Sequence, residues 1–179
     1  DINVISNGIL AENSFTTTAS AKAFKILSSS LYKNKILAII RELSCNAYDT
    51  HKLVGKEHIP FDIKLPTILD PDFKIRDYGP GLSHDDVMEL YTTYFNSTKT
   101  DSNEFIGALG LGSKSPFSYT SAFVVNSYHK GLLRSYSAYL DNNGMPKIVM
   151  LMGIPTIEDS GLEIQFATKE DDHHSFRTN

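Results

Sequence analysis

Four strand-like runs fill the second half of the chain: Ala122 to Tyr128, Leu132 to Leu140, Lys147 to Leu151 and Leu162 to Ala167. Turn residues separate the first three. They are Lys130-Gly131 and Asp141-Asn142-Asn143-Gly144, the second a strong hairpin signal. Strands joined so closely run antiparallel, because a parallel pair needs a long crossover between its members. The chain is thereby committed to an antiparallel sheet with one face to cover.

The first half supplies the cover. Asp1 to Ser14 is ambiguous, and Phe15-Thr16-Thr17-Thr18 is β-branched enough to be a first strand. Ala23, Phe24, Ile26, Leu27 and Leu31 suggest a helix from Ala19 to Leu31, with Ser20 as its cap. A stronger helix starts near Asn34, where Ile36, Leu37, Ile39, Ile40, Leu43, Ala47 and Leu53 recur at helical spacing and Gly55 offers a stop. Phe61 to Leu65 and Phe73 to Asp77 alternate as strands do. Ser83-His84-Asp85-Asp86 caps a short helix through Val87, Leu90 and Tyr91, and another short helix is expected around Ser113 to Tyr119. Asn96 to Glu104 is polar and aperiodic, and reads as a mobile loop. Helices come mostly first and strands mostly last. The expected fold class is therefore α+β, a two-layer sandwich of a mixed, mostly antiparallel sheet with helices on one face.

At 179 residues this is one domain, spanning 1–179. Its start at Asp1 and its end at Arg177-Thr178-Asn179, with no clear closing element, suggest the N-terminal part of a longer protein. The net charge of −4 gives no direct nucleic-acid signal, although an average says nothing of local patches. The single cysteine, Cys45, excludes an internal disulfide framework and suits a reducing compartment. No apolar run is long enough to span a bilayer.

Three motifs carry chemistry. Glu42, Asn46 and Asp49 sit at i, i+4 and i+7 of the strong helix, on one face beside its apolar stripe. A carboxylate placed near a core needs a partner or a task, yet the same spacing also describes a solvated polar face. Asp77-Tyr78-Gly79-Pro80-Gly81 ends an alternating strand, either as a tight turn or as an acceptor with glycines that let a flat ring approach. Gly107-Ala108-Leu109-Gly110-Leu111-Gly112 runs into Ser113-Lys114-Ser115 and a helix start, where backbone amides suit a phosphate. The spacing is not that of a Walker A loop.

Taken in order, these motifs resemble those of the GHKL ATPase family, which holds DNA gyrase B subunits, heat-shock chaperones, histidine kinases and mismatch-repair MutL proteins. More narrowly, Phe105 to Thr120, Lys25 to Ser29, Arg41-Glu42-Leu43 and Ser127 to Gly131 resemble rIIA-like phage proteins, a class linked to control of host lysis. The resemblance implies the GHKL (Bergerat) fold, with ATP and Mg²⁺ as cofactors. It implies that Glu42 polarises the attacking water, that Asn46 binds the metal and that Asp49 lines the nucleotide pocket. Asp77 would read the adenine amine, with Gly79 and Gly81 shaping the wall. Ser97, Thr98 and Lys99 would belong to an ATP lid, and Gly107, Gly110 and Gly112 would wrap the phosphates.

One box departs from the family. Where relatives place Gly-Thr before the last core strand, this chain has Gly161-Leu162. Leu162 has no hydroxyl, so the expectation is that water or another side chain completes the adenine network. Many relatives also take a catalytic lysine or arginine from a following domain, so slow turnover is expected of this chain. The leading expectation is an ATPase switch that binds ATP and ADP, with a homodimer formed in the nucleotide-bound state. The alternative is a nucleotide-binding interaction module with little hydrolysis, acting on a phage or host protein partner. The implied setting is the host cytoplasm, with association at the inner face of the host membrane left open. A histidine-kinase-like transferase ranks below both, because His173-His174 read as part of a polar tail without helical context.

Overall fold

The computed structural model describes residues 12–14, 34–92, 112–142, 144 and 146–179. The expected strand at 15–18, the helix at 19–31 and the polar loop at 96–104 lie outside them.

The strong helix, α1 (Lys35–Leu53), begins where the Asn34 side chain accepts from the Leu37 amide at 3.1 Å. It ends before Gly55, whose φ of +69° turns the chain. Ile36, Ile39, Leu43, Ala47 and Thr50 form its buried stripe. The second helix, α2 (His84–Thr92), starts with a reciprocal cap: the Asp86 carboxylate accepts from the Ser83 amide and hydroxyl, and the Asp86 amide donates to the Ser83 hydroxyl. A 3₁₀ helix follows at Gly112–Ser118.

The strands are β1 (Glu12–Ser14), β2 (Asp62–Lys64), β3 (Asp72–Arg76), β4 (Ala122–His129), β5 (Leu132–Leu140), β6 (Pro146–Pro155) and β7 (Gly161–Ala167). Their order across the sheet is β1-β6-β5-β4-β7-β3-β2. Every described pairing is antiparallel, so a mixed sheet is not found among the described residues. The reason is local. β4, β5 and β6 are joined by tight turns at 130–131 and 141–144, with Lys130 and Gly131 both at positive φ. The loop after β6 then wraps the β4–β5 hairpin, where the Thr156 amide donates to the Gly131 carbonyl at 2.9 Å, and feeds β7 along the free edge of β4.

The register places Phe73, Ile75, Phe123, Val125, Tyr136, Ala138, Ile148, Ile164 and Phe166 on one buried face. The helices cover that face through Ile39, Leu43, Val87, Leu90, Tyr91, Phe117 and Phe176. The architecture is thus α+β, an open antiparallel sheet plus helices. Residues 173–178, read from the sequence as a polar tail, form a third helix, α3 (His173–Thr178). Phe176 anchors it, packing its ring against Phe73, Phe166 and Tyr119. His173 is buried there, so the expectation of no helical context for the histidine pair is corrected.

Candidate functional site

Asp77 follows β3 directly and is only 7% exposed. Its Oδ1 accepts from the Gly79 amide at 2.9 Å, a side-chain turn that glycine allows, and from the Leu162 amide at 3.1 Å. Oδ2 takes no hydrogen bond among the described residues. Burial pushes the Asp77 carboxyl above its ordinary value, with the two amide bonds and then the Arg76 guanidinium pulling the other way. The main chain of Leu162 makes a bond to Asp77 without a hydroxyl.

Two residues that the sequence did not single out hold this strand end in place. His51, on α1, faces the Ile59 carbonyl through Nδ1 at 2.9 Å and the Tyr78 amide through Nε2 at 2.6 Å. Only the neutral ring with its proton on Nδ1 satisfies both partners. Arg76 lies on the opposite side of the sheet, 4.0 Å from the Tyr128 ring centroid and 4.9 Å from that of Tyr78. Its guanidinium donates to the main-chain carbonyls of Asp77 and Asp159. Gly161 must be glycine in this arrangement: its φ is +148°, and a Cβ there would lie 2.0 Å from the Asp77 carbonyl oxygen.

A narrow cleft of about 30 Å³ opens in front of Asp77. Asn46, Ala47 and Thr50 from α1 form one wall, Leu90 and Tyr91 from α2 and Ser113 a second, and Ile75, Leu162 and Ile164 the floor. Leu43 completes the α1 wall. Glu42 and Asn46 converge on Gly112: a Cβ at 112 would sit 3.0 Å from Glu42 Oε2 and 3.3 Å from Asn46 Nδ2. Glu42 is paired with Arg41 at 2.9 Å, and 29% of its side chain is exposed. Lys114 is buried one turn into the 3₁₀ helix, with Nζ 5.9 Å over the Tyr91 ring. Desolvation lowers its pKa to about 7.

The fold thus brings Glu42, Asn46 and Gly112 together, and Asp77 with Gly79, and of these Asn46 and Asp77 line the cleft. Asp49 is exposed and does not line it, and Thr50 stands in that wall instead. Gly81, at φ +67°, packs under the Tyr128 carbonyl, and Gly161 lies behind Asp77. Ser97, Thr98, Lys99, Gly107 and Gly110 lie outside the described residues. Among the described residues no group of three or more His, Cys, Asp or Glu side chains is assembled to hold a metal. A magnesium ion here would rest on the Asn46 oxygen together with phosphate and water oxygens, which suits that ion's preference for a largely hydrated shell. No described helix is long and apolar enough to cross a membrane. Compared with known proteins, the chain matches no family model and no curated protein.

Proposed function

We propose that this chain is a magnesium-dependent ATP-binding module of the GHKL kind, hydrolysing ATP slowly and serving as a conformational switch. The observation that carries the reading is Asp77: a buried carboxylate with one oxygen fixed by two amides and the other meeting no donor among the described residues, lining a largely apolar cleft. An exocyclic amine on a flat ring meets that acceptor, and Ile75, Leu162 and Ile164 suit the ring's faces. The convergence of Glu42 and Asn46 on Gly112 supports a phosphate end of the same cleft. There Asn46 would hold the metal and Glu42 would take a proton from the attacking water.

One contact favours the second reading, a nucleotide-binding interaction module with little hydrolysis. Arg41 occupies a Glu42 oxygen at 2.9 Å, which takes that oxygen away from an attacking water. A role in a phage, through a phage or host partner, rests on the motif resemblance to rIIA-like proteins alone.

Calorimetric titration with Mg·ATP, coupled to phosphate release, tests the proposal. Glu42→Ala should keep ATP affinity and lose about 10²–10⁴ in rate, whereas Asn46→Ala should lose Mg²⁺-dependent affinity as well. Wild-type hydrolysis by both variants would sink the ATPase reading.

A further inference from the structure

The Tyr91 hydroxyl plays no part in the reading above. It is fully buried, and no described group meets it in hydrogen-bonding geometry. The Ser113 side chain is its hydrogen-bonding neighbour, short of good geometry, and the charge of Asp77 reaches it. Both residues line the same cleft as Tyr91. The ring itself is held firmly, with Phe123 at 6.0 Å between centroids and Lys114 Nζ over one face. Native folds rarely leave a buried hydroxyl without a partner, and such groups gather where a ligand supplies one.

We infer that the Tyr91 hydroxyl is a second base-reading group, donating to a ring nitrogen of adenine while Asp77 accepts from its amine. The inference rests on the ATP reading proposed above and extends it to the donor and acceptor pattern of the base. Burial first, and then the Asp77 charge, hold the phenol proton on, so at neutral pH Tyr91 is a donor. Asp77 offers Oδ2 alone, because Oδ1 is taken by Gly79 and Leu162. One acceptor with one donor complements the amine and an adjacent ring nitrogen of adenine. Guanine presents a carbonyl and two neighbouring donors on that edge, which would need both Asp77 oxygens and leave Tyr91 facing an N–H.

The test is the affinity of the wild type and of Tyr91→Phe for ATP and for its 1-deaza, 3-deaza and 7-deaza analogues. Each analogue deletes one ring-nitrogen acceptor. Tyr91→Phe should bind ATP roughly tenfold more weakly, with a thermal midpoint no lower than wild type, since it removes an unpaired buried group. The wild type should bind the 1-deaza analogue more weakly by a similar factor and the 3-deaza and 7-deaza analogues as tightly as ATP, and Tyr91→Phe should no longer distinguish the 1-deaza analogue from ATP. Equal wild-type affinity for ATP and all three analogues overturns the inference, whatever the variant does. Undiminished ATP binding by Tyr91→Phe overturns it too. Wild-type protein that binds no adenine nucleotide at all instead overturns the ATP reading itself.

Discussion

Leu162 and Asp77 are bonded in both directions: the Leu162 amide donates to Asp77 Oδ1 at 3.1 Å, and the Asp77 amide donates to the Leu162 carbonyl at 2.9 Å. The side chain at 162 takes no part in either bond. Leu162→Val should therefore leave ATP affinity within about threefold of wild type, with only a packing loss on the cleft floor. Affinity measured by titration that fell with Leu162→Val as far as with a change at Asp77 would show that the leucine itself reads the ligand.

Asp77 should cost the empty protein stability. Its folded-state pKa is raised, chiefly by burial, so the folded chain holds the proton more tightly than the unfolded one. Wild-type stability relative to Asp77→Asn should fall as pH rises from the ordinary carboxylate value to the raised one, and stay level above it. Denaturant unfolding of both proteins across that interval checks the sign. A wild type that gained on the variant with rising pH would contradict the burial argument.

Gly112 sets the distance between the 3₁₀ helix and α1. A methyl at 112 would press on Glu42 Oε2 at 3.0 Å and on Asn46 at 3.3 and 3.4 Å. Gly112→Ala should displace both side chains and lower Mg·ATP affinity and hydrolysis by about tenfold or more, with a modest stability loss. Unchanged kinetics would separate Glu42 and Asn46 from the reaction.

Lys114 has the opposite linkage to Asp77. Its folded pKa is near 7, lowered from 10.5 by desolvation, so the unfolded chain binds a proton that the folded one rejects between those values. Wild-type stability should rise with pH from about 7 towards 10.5, and Lys114→Met should lose that slope. Below neutrality the methionine variant should be more stable by roughly 1–4 kcal/mol. Parallel unfolding curves at pH 6 and 9 would place the lysine in water.

Much of this fold was legible because its signals are local. The apolar spacing of α1, its Asn34 cap and Gly55, and the turns at 130–131 and 141–144 all fix structure within a few residues. The sequence does not show α3 because its apolar anchor, Phe176, finds partners at Phe73, Tyr119 and Phe166, all remote in sequence from it or hidden in other strands. The family resemblance implies a pocket role for Asp49, one turn beyond Asn46. The wall is instead centred on Leu43, Asn46, Ala47 and Thr50, roughly 100° around the helix from Asp49. Arg76 reads as one more outward residue of an alternating strand. Its grip on Asp77 appears only once β4 brings Tyr128 beside it.

The most direct measurement is a titration of wild-type and Asp77→Asn protein with Mg·ATP and Mg·GTP at one neutral pH. Asparagine keeps the size of the side chain and an oxygen for the Gly79 and Leu162 amides, but turns an N–H₂ group towards the cleft. The account predicts that the wild type binds ATP well above GTP. It also predicts that Asp77→Asn, still folded, binds ATP at least about tenfold more weakly, because a buried donor then faces a donor. A folded Asp77→Asn protein with wild-type affinity for ATP would contradict it.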